Sequence, residues 1–287
     1  MVTYKDDLDM MLERSYLAGV KSMIITGGSL HESELALNLA RQKGWFPVCL
    51  LCLASWLATG FYATIGCHPT RSKEFDRHPG GPDAYLLALD KLIGDNLRPS
   101  GRVVAIGECG LGGHSIFSRE CTGVIHFLQI MIEPILHPKK CRKGIFVSVK
   151  CRYEGYSKKS ILWAGTQLVL AKKYHLPLFL HSRAAHIDFV QILKEEGFGE
   201  DGGKSVGAKG GVVHSFTGSS EEAAELVSAH ISEFDNHVKG GKIGMGFYIG
   251  VNGCSMKTEQ NLETLKTIRL DRLLLETGKA RSTVRPC

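Results

Sequence analysis

Glu108, His181 and His214 each follow directly on a short apolar run: Arg102–Gly107 (RVVAIG), Leu178–Leu180 (LFL) and Gly211–Val213 (GVV). A carboxylate and two imidazoles converging on one point form a mixed oxygen–nitrogen donor set, which suits Zn, Mn or Mg with positions left open to water. Such a centre lowers the pKa of bound water and polarises a phosphoryl oxygen. With two ions, the carboxylate can bridge them. His68, just past Tyr62–Gly66 (YATIG), and Glu276, just past Leu273–Leu275, end two more runs of the same kind. A single histidine after an apolar strand is ordinarily a structural residue; ligand-capable residues at successive strand ends change that reading. Arg183, two residues beyond His181, can pair with a phosphate through its planar fork or close a salt bridge at a rim. His68 either makes a His-Pro turn with Pro69 or meets a phosphate.

Positioning these residues requires strands that share one direction. Seven apolar runs, adding Ser22–Thr26 (SMIIT) and Phe247–Val251 to those above, alternate with amphipathic helical patterns at Asp6–Leu17, around Leu35–Ala40, Ala84–Ile93, Ile187–Glu196, Glu221–Ala229 and Glu259–Lys266. Ser29-Leu30-His31-Glu32 fits a capping box ahead of the second helix. The alternation argues for βα units and a parallel sheet, and active sites of β/α barrels gather at the C-terminal strand ends. The expectation is one α/β domain over residues 1–287, a TIM-like (β/α) barrel. Seven strands rather than eight imply a barrel lacking its first strand, which belongs before Tyr4, and truncated after the last. Two unpaired edges are then expected, with aggregation as the consequence.

Two stretches interrupt the rhythm. Phe46–Gly60 (FPVCLLCLASWLATG) has the apolarity of a membrane span, but Pro47 and Gly60 break it and it lies between two barrel elements. No membrane attachment is expected. Gly112 to about Ala164 shows no sustained period and holds the chain's net positive excess: eight Lys or Arg against Glu154 between His137 and Lys159, about +7, leaving the rest of a +6 chain near −1. A run of this kind is ordinarily a solvated loop. Nine cysteines at irregular spacing make no disulfide framework, and Met1–Asp9 is no secretory signal. An intracellular protein, cytoplasmic or nuclear, without an obligate protein partner, is the expectation.

Ile65-Gly66-Cys67-His68-Pro69, Gly107-Glu108-Cys109-Gly110-Leu111, Leu180-His181-Ser182-Arg183, Val213-His214-Ser215-Phe216 and Leu275-Glu276-Thr277 resemble, in order, the motifs of TatD-related deoxyribonucleases. Ile25-Thr26-Gly27-Gly28 and Gly250-Val251-Asn252-Gly253-Cys254-Ser255 are similar to the eukaryotic branch. The resemblance spans most of residues 5–45, 61–111 and 166–277. It implies a metal-dependent hydrolase that cleaves DNA phosphodiester bonds, with Glu108 as catalytic residue and bridging ligand. His181 and His214 are implied as ligands to one metal; His68 and Arg183 are, from the residue reading above, the expected substrate contacts. Divalent ions (Mg, Mn or Zn) are implied, two in an intact site of this family and one here.

The chain also departs from that pattern. Metal-site residues of a first strand are missing, Gly112 stands where the motif continues to Asp, and Gly278 stands where it reads Glu-Thr-Asp. Glycine supplies neither charge nor oxygen. An alternative is therefore a non-catalytic barrel that binds a metal or a phosphate-bearing ligand. Residues 46–60, 112–165 and 278–287 are expected to be intervening or frame-altered sequence, because family-like pattern stops and restarts at their boundaries.

Overall fold

The computed structural model describes residues 8–20, 22–42, 60–97, 101–112, 126–129, 158–227, 244–253 and 255–276. In chain order these form α1 (Leu8–Leu17), β1 (Ser22–Thr26), α2 (Leu30–Gln42), β2 (Gly60–Ile65), α3 (Lys73–Arg77), α4 (Gly81–Gly94), β3 (Val103–Gly112) and β4 (His126–Gln129). There follow α5 (Lys158–Tyr174), β5 (Leu178–Arg183), α6 (His186–Glu195), β6 (Gly211–His214), α7 (Ser220–Leu226), β7 (Tyr248–Val251), α8 (Glu259–Thr267) and β8 (Leu273–Leu275). The candidate membrane stretch at 46–59 and the glycine at 278 lie outside the described residues. No helix among the described residues is long and apolar enough to cross a membrane.

The strands form one sheet in the order β4-β1-β2-β3-β5-β6-β7-β8. Every pair from β1 through β8 is parallel, as βα alternation demands, and the sheet curls into a partial barrel with its helices outside. Helix α2 shows how the sequence sets the outer layer. Ser29 Oγ accepts from Glu32 N at 3.1 Å to start it, and Ser33, Ala36, Leu37 and Ala40 recur at helical spacing to form its buried face. Only half of the expected capping box forms, because the Glu32 carboxylate turns to Arg71 at 3.0 Å. Ser219 and Glu222 complete both halves at α7.

Inside the barrel, seven strands contribute to one small apolar layer: Ile24, Tyr62, Ala105, Phe179 and Val212, with Val104, Tyr248 and Leu274 packed against them. Arg102 and Arg272, each just before a strand, stack over Tyr62 and Tyr248 at 5.9 and 5.1 Å. Side chains alternate across a strand with period two. The residues two positions beyond this layer therefore face the same interior, one storey nearer the C-terminal ends. They are Thr26, Thr64, His181, His214 and Glu276.

Three expectations are corrected here. Residues 112–164 are not uniformly without structure: β4 lies among them, and α5 begins at Lys158, in the basic run. The edge of β1 is not left open, since β4 pairs antiparallel along Met23–Thr26 and comes within 8 Å of β8, Cα to Cα. Nor does β3 end before Glu108. It continues to Gly112 because Cys109–Gly112 keep pairing with Leu180–Arg183 after a register shift.

Candidate metal centre

Glu108 sits within β3, and its position depends on two glycines. A Cβ on Gly66 would come 2.6 Å from the Gly107 backbone, and one on Gly107, at φ +139°, would lie 2.1 Å from Phe179 O. Only bare backbone fits between these strand ends. Glu108 N then donates to Gly27 O at 2.8 Å, which ties it to the end of β1. Gln167 of α5 holds the neighbouring segment: its Oε1 accepts from Cys67 N at 2.6 Å and its Nε2 donates to Cys67 O at 3.1 Å, directly before His68.

The four predicted residues Glu108, His181, His214 and His68 meet at one atom. Glu108 Oε1 lies 2.6 Å from His214 Nε2, 3.0 Å from His181 Nδ1 and 3.1 Å from His68 Nε2. His181 Nδ1 and His214 Nε2 are themselves 3.0 Å apart. Beneath them the Phe179 ring stacks on His214 with centroids 4.7 Å apart. Arg183 is not part of this cluster. It is exposed at the end of β5 and makes no ion pair among the described residues, so the rim salt bridge expected as one option is not formed there.

Two further groups fix the ring orientations. His68 Nδ1 accepts from Thr70 N at 3.1 Å, as the cap of a short 3-10 turn, and lies 2.7 Å from Thr70 Oγ1. Behind His214, Glu276 Oε2 stands 3.5 Å from Nδ1. The Glu276 carboxylate is held by Ser215 N at 3.1 Å and Asn252 Nδ2 at 3.3 Å. Sequence reasoning noted Glu276 at a strand end but gave it no role. Its place two residues past Leu274, as His214 stands two past Val212, was the signal that could have assigned it. A carboxylate behind a ligating imidazole orients the ring and raises its basicity.

Burial by itself opposes charge on Glu108, but facing His214 and His68, with hydrogen bonds from His181 and His214, it is held well below the usual carboxylate range. Burial likewise opposes charge on His214; the carboxylates of Glu108 and Glu276 outweigh it and raise the imidazole to about 10. His181 goes the other way. Burial, helped by His68 and His214, lowers it to about 4 against the pull of Glu108. Cys67 and Cys109 flank the site, yet burial pushes the Cys67 thiol up to about 12 and Cys109 up as well, so neither is a thiolate nucleophile.

The donor set fits a divalent ion. His68, Glu108 and His181 each offer a ligand atom within 4.8 Å of the others, and His214 Nε2 abuts both Glu108 and His181. Three imidazole nitrogens crowd one carboxylate oxygen at a largely buried point, where a cation can replace the protons they share. Gly112 leaves space beside it: a Cβ there would meet His181 Nε2 at 3.7 Å.

Comparison with known proteins places this geometry among relatives. The family profile described as TatD related DNase matches residues 150–280. The deoxyribonuclease Tat-D of Schizosaccharomyces pombe is 34% identical over 283 residues, covering 99% of this chain and 67% of that protein. The 3'-5' ssDNA/RNA exonuclease TatD of Erwinia amylovora is 30% identical over 277 residues, covering 96% of this chain and 74% of its own. The crystal structure of a hydrolase TatD family protein from Entamoeba histolytica superposes with a TM-score of 0.60 at 27% identity, covering 96% of this chain and 66% of that one.

Proposed function

Because this chain belongs to the TatD-related DNase family, we propose that it hydrolyses DNA phosphodiester bonds at Glu108, His181 and His214 with a bound divalent ion. The observation that carries this reading is the single oxygen Glu108 Oε1, shared by three imidazole nitrogens on the interior layer above an apolar floor. The ion, Mg, Mn or Zn, supplies Lewis acidity toward a phosphoryl oxygen and acidifies water. An intact site of this kind takes two ions; one is assigned here, to Glu108, His181 and His214.

His68 and Arg183 are assigned to the substrate phosphate. Thr70 N donates to His68 Nδ1, so Nδ1 acts as the acceptor and Nε2, pointing into the site, as the donor. With its proton there, Nε2 donates to a phosphate oxygen, and His68 is assigned to the substrate in preference to the ion, although its ring lies within ligand reach of Glu108 and His181. Arg183, exposed at the mouth, offers a planar fork to a neighbouring phosphate. The protein is assigned to the cytoplasm or nucleus, with DNA as its partner.

The test is direct. Purified protein releases nucleotides from DNA in Mn or Mg, chelation stops it, and Glu108→Ala abolishes it; full activity in Glu108→Ala overturns the assignment. Gly112, which puts no carboxylate beside His181, favours one second reading, a barrel that binds metal without turnover. Calorimetric binding of Mn with no cleavage distinguishes it. We also propose that residues 46–60, 112–165 and 278–287 are intervening or frame-altered sequence, although the family match enters the second of these at residue 150. A spliced transcript encoding all three in frame excludes that origin.

A further inference from the structure

Thr26 ends β1 with a buried hydroxyl. The residue is 8% exposed, and Oγ1 has no hydrogen-bond partner among the described residues. A buried polar atom without a partner costs stability, so a hydroxyl left without one among the described residues points to a bound ligand. Its surroundings indicate which kind. Ile24, two residues earlier, belongs to the apolar floor with Phe179 and Val212, and His181 and His214 stand two residues beyond those. Strand parity thus puts Thr26 on the interior layer that holds the imidazoles. The next residue, Gly27, accepts from Glu108 N at 2.8 Å, so the end of β1 lies against the carboxylate-bearing strand. Thr64, the matching residue of β2, has its hydroxyl occupied by Gly27 N at 3.2 Å; Thr26 does not share that duty.

We propose that Thr26 Oγ1 is an additional oxygen donor to the cation held by Glu108, His181 and His214. The proposal rests on the metal-hydrolase reading above. A hydroxyl adds a hard, neutral oxygen to a nitrogen-rich set without adding charge, which shifts preference toward Mn or Mg and away from Zn.

The experiment is Mn and Zn calorimetry on the whole chain, with Thr26→Val, Thr26→Ser and Glu108→Ala, and the melting temperature of each protein without metal. Thr26→Val keeps the shape and removes the oxygen. It is expected to weaken Mn binding about tenfold and Zn binding less, in the range seen when a supporting group is lost from a metal site. Thr26→Ser is expected to bind Mn as the parent does. Without metal, Thr26→Val is expected to melt no lower than the parent, since the hydroxyl it removes has no partner among the described residues. Unchanged Mn affinity in Thr26→Val, or a lowered melting temperature without metal, overturns the inference. If Glu108→Ala also binds Mn normally, the underlying metal site fails; if only Thr26→Val does, this inference alone fails.

Discussion

His214 is held between two carboxylates: its Nε2 lies 2.6 Å from Glu108 Oε1, and its Nδ1 faces Glu276 Oε2 at 3.5 Å. The two contacts have different uses. The first is the face the proposed cation would take over; the second would remain with the cation bound and keep the ring aligned. Glu276 therefore acts on the site through His214, and its loss should be felt at the metal before it is felt in the fold.

Glu276→Gln keeps a partner for Ser215 N and removes the charge behind His214. Metal affinity is expected to fall about 10- to 100-fold, as for other carboxylates behind ligating histidines. The His214 pKa, followed by NMR in the metal-free protein, is expected to fall from about 10 toward the ordinary 6.5. An unmoved pKa contradicts this role.

Metal uptake should release protons. With His214 raised to about 10 and His181 lowered to about 4, one imidazole is charged and the other is neutral at pH 7.5 in the metal-free protein. Binding at His214 then expels about one proton, and affinity rises with pH. Calorimetry in buffers of different ionisation enthalpy reads the count. The same shifts set metal-free stability. His214, raised from 6.5, contributes fully below about pH 6.5, and that contribution is lost as pH climbs toward 10. Glu108, depressed below 4.5, contributes above that value and loses its contribution as pH falls. His181, lowered toward 4, withdraws stability as pH drops from 6.5.

Gly112→Asp places a carboxylate beside His181. Its Cβ meets His181 Nε2 at 3.7 Å, an ordinary contact, so the fold is expected to tolerate it. A carboxylate accepting from Nε2 leaves Nδ1 free to ligate. Metal affinity is expected to rise about tenfold, by the same outer-shell effect whose loss weakens binding elsewhere. Equal affinity in the variant and the parent excludes the effect.

Phe179→Ala opens the floor beneath the imidazoles. Phe179 is 3% exposed and stacks on His214 at 4.7 Å. Destabilisation of about 3–5 kcal/mol is expected from the lost burial and the cavity. Urea unfolding measures it, and a cost under about 1 kcal/mol would mean that the floor repacks.

Much of this architecture was legible because the strands are short, apolar and bounded by turns. Phe179-x-His181 and Val212-x-His214 carry floor and ligand on one face at period two, so apolar runs ending in donors were a dependable sign. Glu276 follows the same rule from Leu274 and could have been placed behind His214 by it. What was not legible depended on distant partners. β4 is four residues whose position comes from pairing with β1, a hundred or more residues earlier in the chain, and nothing in its own pattern announces it. Helix α5 was readable in part: Ala164, Leu168 and Ala171 recur at helical spacing on its buried side, but the lysines at its start drew attention to charge instead. Gln167, on that same helix, fixes Cys67 and hence His68 by contacts that no local spacing encodes.

The floor and the proposed ligands His181 and His214 occupy the same face of the same strands, two residues apart. A strand that slipped by one residue would still form its ladder, but it would turn His214 outward and bring Val213 or Ser215 in. Slipped and correct sheets therefore differ little in backbone pairing and completely in their capacity to hold an ion. A metal bound at the proposed site would thus act as a proofreader of strand register, selecting the one alignment in which β3, β5 and β6 present their donors together.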